Sequence, residues 1–280
     1  MNTLLRRYGR GGHLSDLMGL MRASRPKVIR SKTTSTVENA SEQSVLPDSR
    51  SDVVLRTFLQ GLDQLLARNK FGGGDSSQRV RSMIQSCTQE TLRNLELAQK
   101  RDLILFLFEL DLISGIQPEI PLIGADLSQI DLGWANLRRV NLSHARLEMA
   151  DLTLANLGES ILSGAILRQA RLKANLVGAD LVGADLREAQ LAGAKMAGAN
   201  LAGANMRLAN GHGVDLSGAT ITGADLSMAN LRQANLSNTN LALADLSQAN
   251  LLEANLRGAD LSGANLTGTE IREDQLDQAK

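Results

Sequence analysis

The stretch Ala-Asp-Leu-Ser-Gly-Ala-Asn-Leu at residues 259–266 contains the repeat that decides the fold. From Ala125 to Ile271 the same pattern returns every five residues: a small residue, Asn or Asp, Leu, and two variable positions. A helix turns by about 100° per residue and a strand alternates its faces, so neither keeps every fifth Leu on one side. We therefore expect the chain to bend after each pentapeptide and to form a solenoid with the leucines stacked inside.

The repeat frame also predicts what fills this solenoid. Of the 30 central positions from Leu127 to Ile271, 25 hold Leu, and Ala stands two residues earlier in 24 of the 30 units. Alternating large and small inward residues suit a narrow interior. Because burial of one Leu contributes roughly 1.5–3 kcal/mol, we expect the array to be stable.

The octapeptide at 259–266 and its relatives along the array resemble the pentapeptide repeat family over about half of the chain. The resemblance implies a mainly β fold, a right-handed four-sided β-helix with one pentapeptide per side and about seven and a half coils. At about 4.8 Å per coil this rod would be roughly 36 Å long. Residues 56–113 are similar to the helical segment that precedes the repeats in some bacterial, notably cyanobacterial, members.

Four segments are expected along the chain: a disordered basic arm at 1–50, a helical region at 51–117, the β-helix at 118–276 and a tail at 277–280. Residues 1–32 contain eight Lys or Arg against Asp16 alone. Leu14, Leu17, Met18 and Met21 form one face of a short helix there. The arm could contact an anionic membrane or an acidic protein, act as a removable targeting segment, or be a solvated tail.

The helical region begins with Ser51 and Asp52, which are suited to cap a helix. Gly72–Gly74 breaks the pattern, and a second helical stretch runs from about residue 78 to 113. Its last part, Leu103–Phe108, is apolar on every side, so we expect it to be buried on most faces. The open first coil of the solenoid is the nearest apolar surface, and covering it would protect its strand edges.

Two irregularities interrupt the repeat. One residue is missing near Lys173, which predicts a distorted corner and is most simply explained by neutral drift. Gly211 replaces a central Leu, so either a cavity remains or the backbone bends inward. His212 beside Asp215 suggests a metal or proton-transfer role, but two ligands are too few for a closed site, and a structural role is favoured.

The candidate partner-binding surface lies on one side of the predicted rod. Arg168, Arg187 and Arg207 occupy equivalent positions in three successive coils and form a cationic ladder. A solvated face is the favoured explanation, and a site for an anionic partner is the alternative. Outward apolar residues on or near that side suit a protein contact: Met149, Leu208, Met228 and Trp134.

Other chemistry is not indicated. The sequence has no nucleophile elbow, phosphate-binding loop or zinc-protease motif, and its three histidines do not cluster, so no catalytic residue, cofactor or metal is expected. The formal net charge is zero and aromatic residues are scarce, which argues against single-strand nucleic-acid binding. One cysteine favours a reducing compartment. No transmembrane segment is found, so we expect a cytoplasmic protein that could associate peripherally with a membrane.

The favoured function is a non-catalytic scaffold, a rigid rod that binds an unidentified protein partner. An alternative that the family resemblance implies is a DNA-mimicking binder of gyrase, a type II topoisomerase. Mimicry requires acidic stripes, whereas residues 121–280 contain 17 Asp or Glu and 13 Lys or Arg, net −4. These residues also lack the long apolar C-terminal helix that dimerises such members. A role as an enzyme or an enzyme regulator is the remaining alternative.

Overall fold

The computed structural model describes residues 50–68, 75–115 and 120–280. The predicted basic arm lies outside these residues except for Arg50, as do the glycines at 72–74 and Pro118. The chain divides into two compact units, Met1–Ser77 and Gln78–Lys280. The division into an arm, a helical region, a β-helix and a tail stays a prediction.

Helix α1 spans Arg50–Arg68. Its buried apolar residues are Leu55, Leu59 and Leu62, which the helical period places on one face. The helix begins at Arg50, so Ser51 and Asp52 lie inside its first turn and do not cap it as expected. The Asp52 carboxylate there interacts favourably with the helix dipole.

The second helical stretch consists of two helices, α2 at Asp75–Asn94 and α3 at Leu97–Glu109. They are separated because Glu96 begins a new helix, and its backbone N–H donates to Gln99 Oε1 at 3.2 Å. In α3, Leu103, Ile104 and Leu107 are buried. The expectation of burial on most faces is wrong for the rest of this helix, since Leu105, Phe106 and Phe108 are only half-buried.

Residues 120–280 form a four-sided parallel β-helix that ends in a short helix. We number its sides 1 to 4 from the units centred on Leu127, Leu132, Leu137 and Leu142. The residue before each central position pairs in parallel with its equivalent one coil later, as in the side 1 ladder Asp126, Arg146, Ile166, Asp185, Asn205, Asp225, Asp245 and Asn265. Sides 1 and 2 have eight such rungs and sides 3 and 4 have seven, which gives the seven and a half coils expected from the sequence.

One unit explains why Asn or Asp precedes most of the central residues. In Asn205–Ala209, the backbone N–H groups of four residues donate to backbone carbonyls at 2.6–3.1 Å. The fifth N–H, that of Arg207, donates to the Asn205 side chain at Oδ1, 3.1 Å away. The Asx side chain thus supplies the acceptor that the ladder does not provide, which is the usual reason for Asn and Asp in turns.

Each corner of the β-helix, apart from the one after Leu172, is made by the residue two positions after the central one. This residue has a positive φ, for example 65° at Gly198 and 60° at Leu208. The next N–H returns to the central carbonyl, as from Ala209 to Met206 at 2.9 Å. A positive φ at the third of four residues is the signature of a type II turn and favours Gly, yet many corners here hold larger residues.

The missing residue shortens side 2 between Leu172 and Asn175. The Ala174 N–H donates to the Leu172 carbonyl at 2.6 Å, one residue nearer than at other corners. Asn156 then pairs with Asn175 at a separation of 19 residues, and Asn175 pairs with Lys195 at 20. The ladder therefore continues on all four sides, and the exposed Lys173 lies on the short side.

At Gly211 the backbone follows the ordinary path, with Gly211 N–H to Asn230 O at 2.8 Å and Val214 N–H to Gly211 O at 3.0 Å. A Cβ added to Gly211 would lie 3.0 Å from Leu231 Cδ2 and 3.3 Å from Val214 Cγ1. Val214 stands where most units have Ala, so its extra volume takes the space beside the glycine. The inward bend considered from the sequence does not occur.

Helices α2 and α3 contribute polar contacts to the first coil. Gln89 Nε2 donates to the Ile123 carbonyl, and Lys100 Nζ donates to the Asp126 carbonyl at 3.1 Å. Arg101 forms an ion pair with Asp131 at 3.3 Å. Leu127 and the other central leucines of this coil are at most 1% exposed although no coil precedes them. These contacts support the predicted cap at this end.

The last residues form a smaller structure at the other end. Helix α4 spans Glu273–Leu276, and the buried Gln275 donates from Nε2 to the carbonyls of Leu251 and Ala254, both at 2.7 Å. The Lys280 N–H donates to the Ala259 carbonyl at 2.8 Å. Residues expected to be a tail therefore hydrogen-bond to the final coils.

Candidate functional site

Side 1 carries the three arginines that the sequence placed in one column. Arg168, Arg187 and Arg207 each follow the central residue of their unit on coils three, four and five of the ladder. In each unit, the central residue and the residue two positions before it point into the interior. Because faces alternate along the chain, the residue after the central one points outward. The arginine row is the name used below for these three residues.

Asp185 links two members of the row. Its Oδ2 accepts from Arg168 Nε at 2.6 Å and from Arg187 Nη2 at 2.7 Å, and its Oδ1 accepts from Arg187 Nε at 2.8 Å. The hydrogen bond from Arg187 is the main cause that lowers the pKa of Asp185 to about 2, against the opposing effect of burial. Two cations of the predicted ladder are therefore paired with one carboxylate between them.

Arg207 is held differently. Its Nη1 donates to Ser227 Oγ at 3.0 Å, and Ser227 Oγ in turn donates to Asp225 Oδ1 at 2.6 Å. Within residues 50–68, 75–115 and 120–280, Arg207 makes no ion pair with a carboxylate. Its guanidinium is thus oriented by a hydroxyl group, and it interacts electrostatically with Asp245 without forming an ion pair.

The corner after side 1 bears the apolar residues of the predicted surface. Met149, Leu208 and Met228 have φ values of 57°, 60° and 59° and are 58%, 48% and 39% exposed. A left-handed conformation costs a non-glycine residue roughly 1–2 kcal/mol. Because these three side chains are exposed, their contacts with the described part of the chain offset little of this cost.

A shallow groove lies across the same region. Its volume is about 340 Å³, and its walls come from two neighbouring columns of side 1 and its corner: Glu148, Met149, Arg168, Gln169, Arg187 and Glu188. Gln169 Nε2 donates to Glu188 Oε2 at 2.8 Å, and Glu148 Oε2 accepts from Ser128 and Arg146. The carboxylates beside the groove are therefore already hydrogen-bonded.

Trp134 is not part of this surface. It lies on the corner between sides 2 and 3, one side away from Met149, and is 79% exposed. Leu154 follows it one coil later on that corner, with φ 60° and 46% exposure. The structure thus separates the predicted residues into a cluster on side 1 and an isolated Trp134–Leu154 pair.

His212 is exposed on side 2, and its backbone N–H donates to Asn210 Oδ1 at 3.3 Å. Asp215 accepts from the Ser217 N–H and from Asn235 Nδ2. Across the described ranges, no group of three or more His, Cys, Asp or Glu residues is arranged to hold a metal ion. Asp215 therefore has the same turn-stabilising contact as its counterparts in other units.

The sequence reasoning missed Asp185 and Ser227, which orient the row. Both were readable in principle, since Asp185 stands two residues before Arg187 and Ser227 stands one coil after Arg207. The contacts depend on side-chain conformation, which the repeat pattern does not specify.

Comparison with known proteins identifies the class of this β-helix. The family described as Pentapeptide repeats matches residues 122–227 and 229–268 in overlapping segments, which is just over half of the chain. The chain belongs to this family, and its solenoid is the right-handed four-sided β-helix expected from the resemblance. A search of curated proteins finds no match.

Three solved structures of pentapeptide repeat proteins are similar to the chain. HetL, involved in heterocyst differentiation regulation in Nostoc sp. strain PCC 7120, is 33% identical, with 63% of this chain and 92% of HetL covered and a TM-score of 0.33. The plasmid-mediated fluoroquinolone resistance protein QnrB1 is 18% identical, with 55% and 82% covered and a TM-score of 0.42. Rfr23 from Cyanothece 51142 is 26% identical, with 51% and 67% covered and a TM-score of 0.20.

The helices were also compared with the requirements for crossing a bilayer. In the described part of the chain, none combines the length and the apolar character of a membrane-spanning helix.

Proposed function

We propose that the protein is a non-catalytic scaffold that binds a protein partner through side 1 and the corner that follows it. The observation that carries the proposal is the exposure of Leu208 beside Arg207, with Met149 and Met228 exposed on the same corner one coil beyond either end of the row. These side chains occupy strained backbone positions, and they contribute little to the interior. Arginine next to exposed apolar groups is typical of binding surfaces.

The solenoid is suited to this role because it fixes the spacing of its outward residues. Ladder hydrogen bonds join each coil to the next on all four sides. Side chains in one column are therefore repeated at about 4.8 Å along the axis. We place this scaffold in the cytoplasm, since Cys87 is the single cysteine of the chain and is exposed.

A DNA-mimicking gyrase binder would need longer acidic stripes than this solenoid has. Its outward columns hold carboxylates in at most two successive coils, as at Asp225 and Asp245. We therefore do not adopt this function. A supercoiling assay with purified gyrase tests it, and inhibition at micromolar protein would restore it as the leading candidate.

Paired substitutions at the exposed corner test the scaffold proposal. Leu208→Ser with Met228→Ser removes apolar contact area without altering the ladder, and we expect recovery of a specific partner from source lysate to fall about tenfold or more. Leu154→Ser is the matched control, because Leu154 has the same φ of 60° and similar exposure on another corner. Quantitative mass spectrometry measures recovery, and circular dichroism checks the fold. Equal recovery with all three proteins would contradict the proposal.

A further inference from the structure

We infer that the partner contacts side 1 through an acidic α-helix lying along the solenoid axis, with its carboxylates facing Arg168, Arg187 and Arg207. This inference rests on the proposed function, since it specifies the chemistry of the partner bound at that surface. Four features of the surface support it: hydrogen-bonding capacity, orientation, spacing and apolar surroundings.

The three arginines of the row keep unused hydrogen-bond donors. Arg168 uses Nε, Arg187 uses Nε and Nη2, and Arg207 uses Nη1 in the contacts that the structure describes. A guanidinium has further N–H groups and no acceptor. Both oxygens of Asp185 are already occupied. A ligand that completes this row must therefore supply anionic acceptors.

The arginine row is held in place from below. Asp185, whose side chain is 19% exposed, fixes Arg168 and Arg187, while their own side chains are 49% and 39% exposed. The buried Ser227 fixes Arg207. Holding the guanidinium groups before binding reduces the entropy lost when a partner carboxylate pairs with them.

The spacing of the row favours a helix over an extended segment. Successive coils are about 4.8 Å apart, so three arginines cover roughly 9.6 Å. Helix residues at i and i+4 have Cβ atoms about 5–6 Å apart, and residues at i and i+7 are about 10.5 Å apart along the axis. Alternate residues of an extended strand are about 6.6 Å apart. This exceeds the spacing of the arginines by about 2 Å for each coil, so a strand would not match the row.

Two exposed apolar residues lie at one end of the arginine row, on the corner beside it. Leu208 belongs to the unit of Arg207, and Met228 follows it one coil later on the same corner. Met149 borders the groove of about 340 Å³, which can receive an apolar side chain. Gln169 and Glu188 occupy this corner beside Arg168 and Arg187. An amphipathic helix would therefore place its apolar residues against Leu208 and Met228, at one end of the row.

Nucleic acid matches this surface less well. Residues 121–280 have a net charge of −4, and Glu148, Glu188, Asp225 and Asp245 flank the row. Phosphate-driven binding depends on a sustained positive surface. The exposed Leu208 and Met228 would also remain uncovered on a phosphate backbone. A helix with three carboxylates at the spacing of the row pairs with the arginines one by one, and its apolar residues cover Leu208 and Met228.

Fluorescence polarisation with designed peptides tests the inference on the full-length protein. The probe is a labelled alanine-rich helix of about 20 residues, with Glu at i, i+4 and i+7 and Leu on the neighbouring stripe. Two control peptides replace Glu with Gln or move Glu to the opposite face. We expect the acidic probe to bind, and Arg207→Gln to weaken it about tenfold.

Arg257→Gln is the matched protein control, because Arg257 occupies the equivalent outward position on side 3 and is exposed. We expect it to leave probe affinity unchanged. The triple variant Arg168→Gln, Arg187→Gln and Arg207→Gln should abolish binding, and Arg207→Gln alone keeps the test valid if the triple variant misfolds. Equal binding of the acidic and Gln peptides, or no binding of either, would overturn the inference.

A DNA duplex of similar length provides the remaining comparison. Tighter binding of the duplex than of the probe, lost in Arg207→Gln, would overturn the inference in favour of nucleic acid. Failure of the peptides while Leu208→Ser with Met228→Ser still reduces partner capture would overturn the acidic helix and leave the scaffold proposal standing. Failure of both tests would remove both.

Discussion

At Gly211 the loss of a large inward side chain is accompanied by a larger side chain at a neighbouring inward position. Val214 replaces the usual Ala and fills space beside the glycine, with Val214 Cγ1 only 3.3 Å from an added Cβ. The sequence revealed both departures from the repeat, at 211 and at 214, but the connection between them depends on how the chain turns through Gly213.

Restoring the common residue at this position should therefore destabilise the protein. We expect Gly211→Leu to lower the free energy of unfolding by about 1–3 kcal/mol through overpacking. Gly211→Leu combined with Val214→Ala should recover most of this loss. Urea denaturation of the two single variants and the double variant measures the coupling, and strictly additive effects would contradict the exchange.

Asp185 offsets the repulsion between Arg168 and Arg187 by accepting hydrogen bonds from both. Its pKa is lowered to about 2, chiefly by the hydrogen bond from Arg187. A lowered pKa in the folded state contributes stability above the unfolded value of 3.8, and this contribution disappears as the pH falls through about 2. Charge pairing within the row therefore acts fully at neutral pH.

We expect Asp185→Asn to lower the free energy of unfolding at pH 7 by about 1–2 kcal/mol, discounted for the half-exposed arginines. Asn keeps an oxygen for the Arg187 backbone N–H, so the change reports the charge. Asp215→Asn is the control and should change stability by less than about 0.5 kcal/mol. Urea midpoints at pH 7, 4 and 2 are the measurement. A difference that persists at pH 2 would argue against charge pairing.

The pentapeptide is the repeating structural element of this fold, and burial and hydrogen bonding together account for its composition. Leu and Ala fill the interior, and Asn or Asp accepts the N–H that the ladder leaves over, as Asn205 does for Arg207. The inward residues were predictable because burial acts at a fixed period. The partners of outward residues were not, because several rotamers are compatible with each position.

At both ends of the solenoid, single polar side chains from non-repeating segments hydrogen-bond to backbone carbonyls of the coils. Gln275 uses its whole amide group, since Oε1 accepts from the Arg272 N–H at 3.1 Å while Nε2 donates to two carbonyls. Gln89 and Lys100 make comparable contacts at the first coil. No periodic signal marks these residues, because each acts once in the chain.

Removing the Gln275 amide should loosen the last coil. We expect Gln275→Ala to cost about 1–3 kcal/mol in unfolding free energy and to accelerate hydrogen exchange of the Gly258 and Lys280 amides. Gln278→Ala is the control, because its exposed side chain donates only within the terminal segment, to Asp274. Mass-spectrometric hydrogen exchange distinguishes the two, and identical protection in both variants would contradict the capping role.

Along the whole solenoid, the two ends are unequally covered. The central leucines of the first coil are buried, whereas Leu261 and Leu266 near the last coil are half-buried. Stability in repeat arrays depends on contacts between neighbours, so the final coils have fewer of them. The period predicted the number of coils but could not indicate this asymmetry, which depends on the non-repeating helices.

The short side between Leu172 and Asn175 bears on how such a chain tolerates change in length. One residue is absent, yet Asn175 and Lys195 resume pairing 20 residues apart. Ladder bonds keep the columns aligned regardless of the residue count at a corner. A loop inserted at one corner would therefore project outward, and the later coils would keep the same pairing between their columns. Insertions and deletions can accumulate there while the arginine row on coils three to five keeps its alignment.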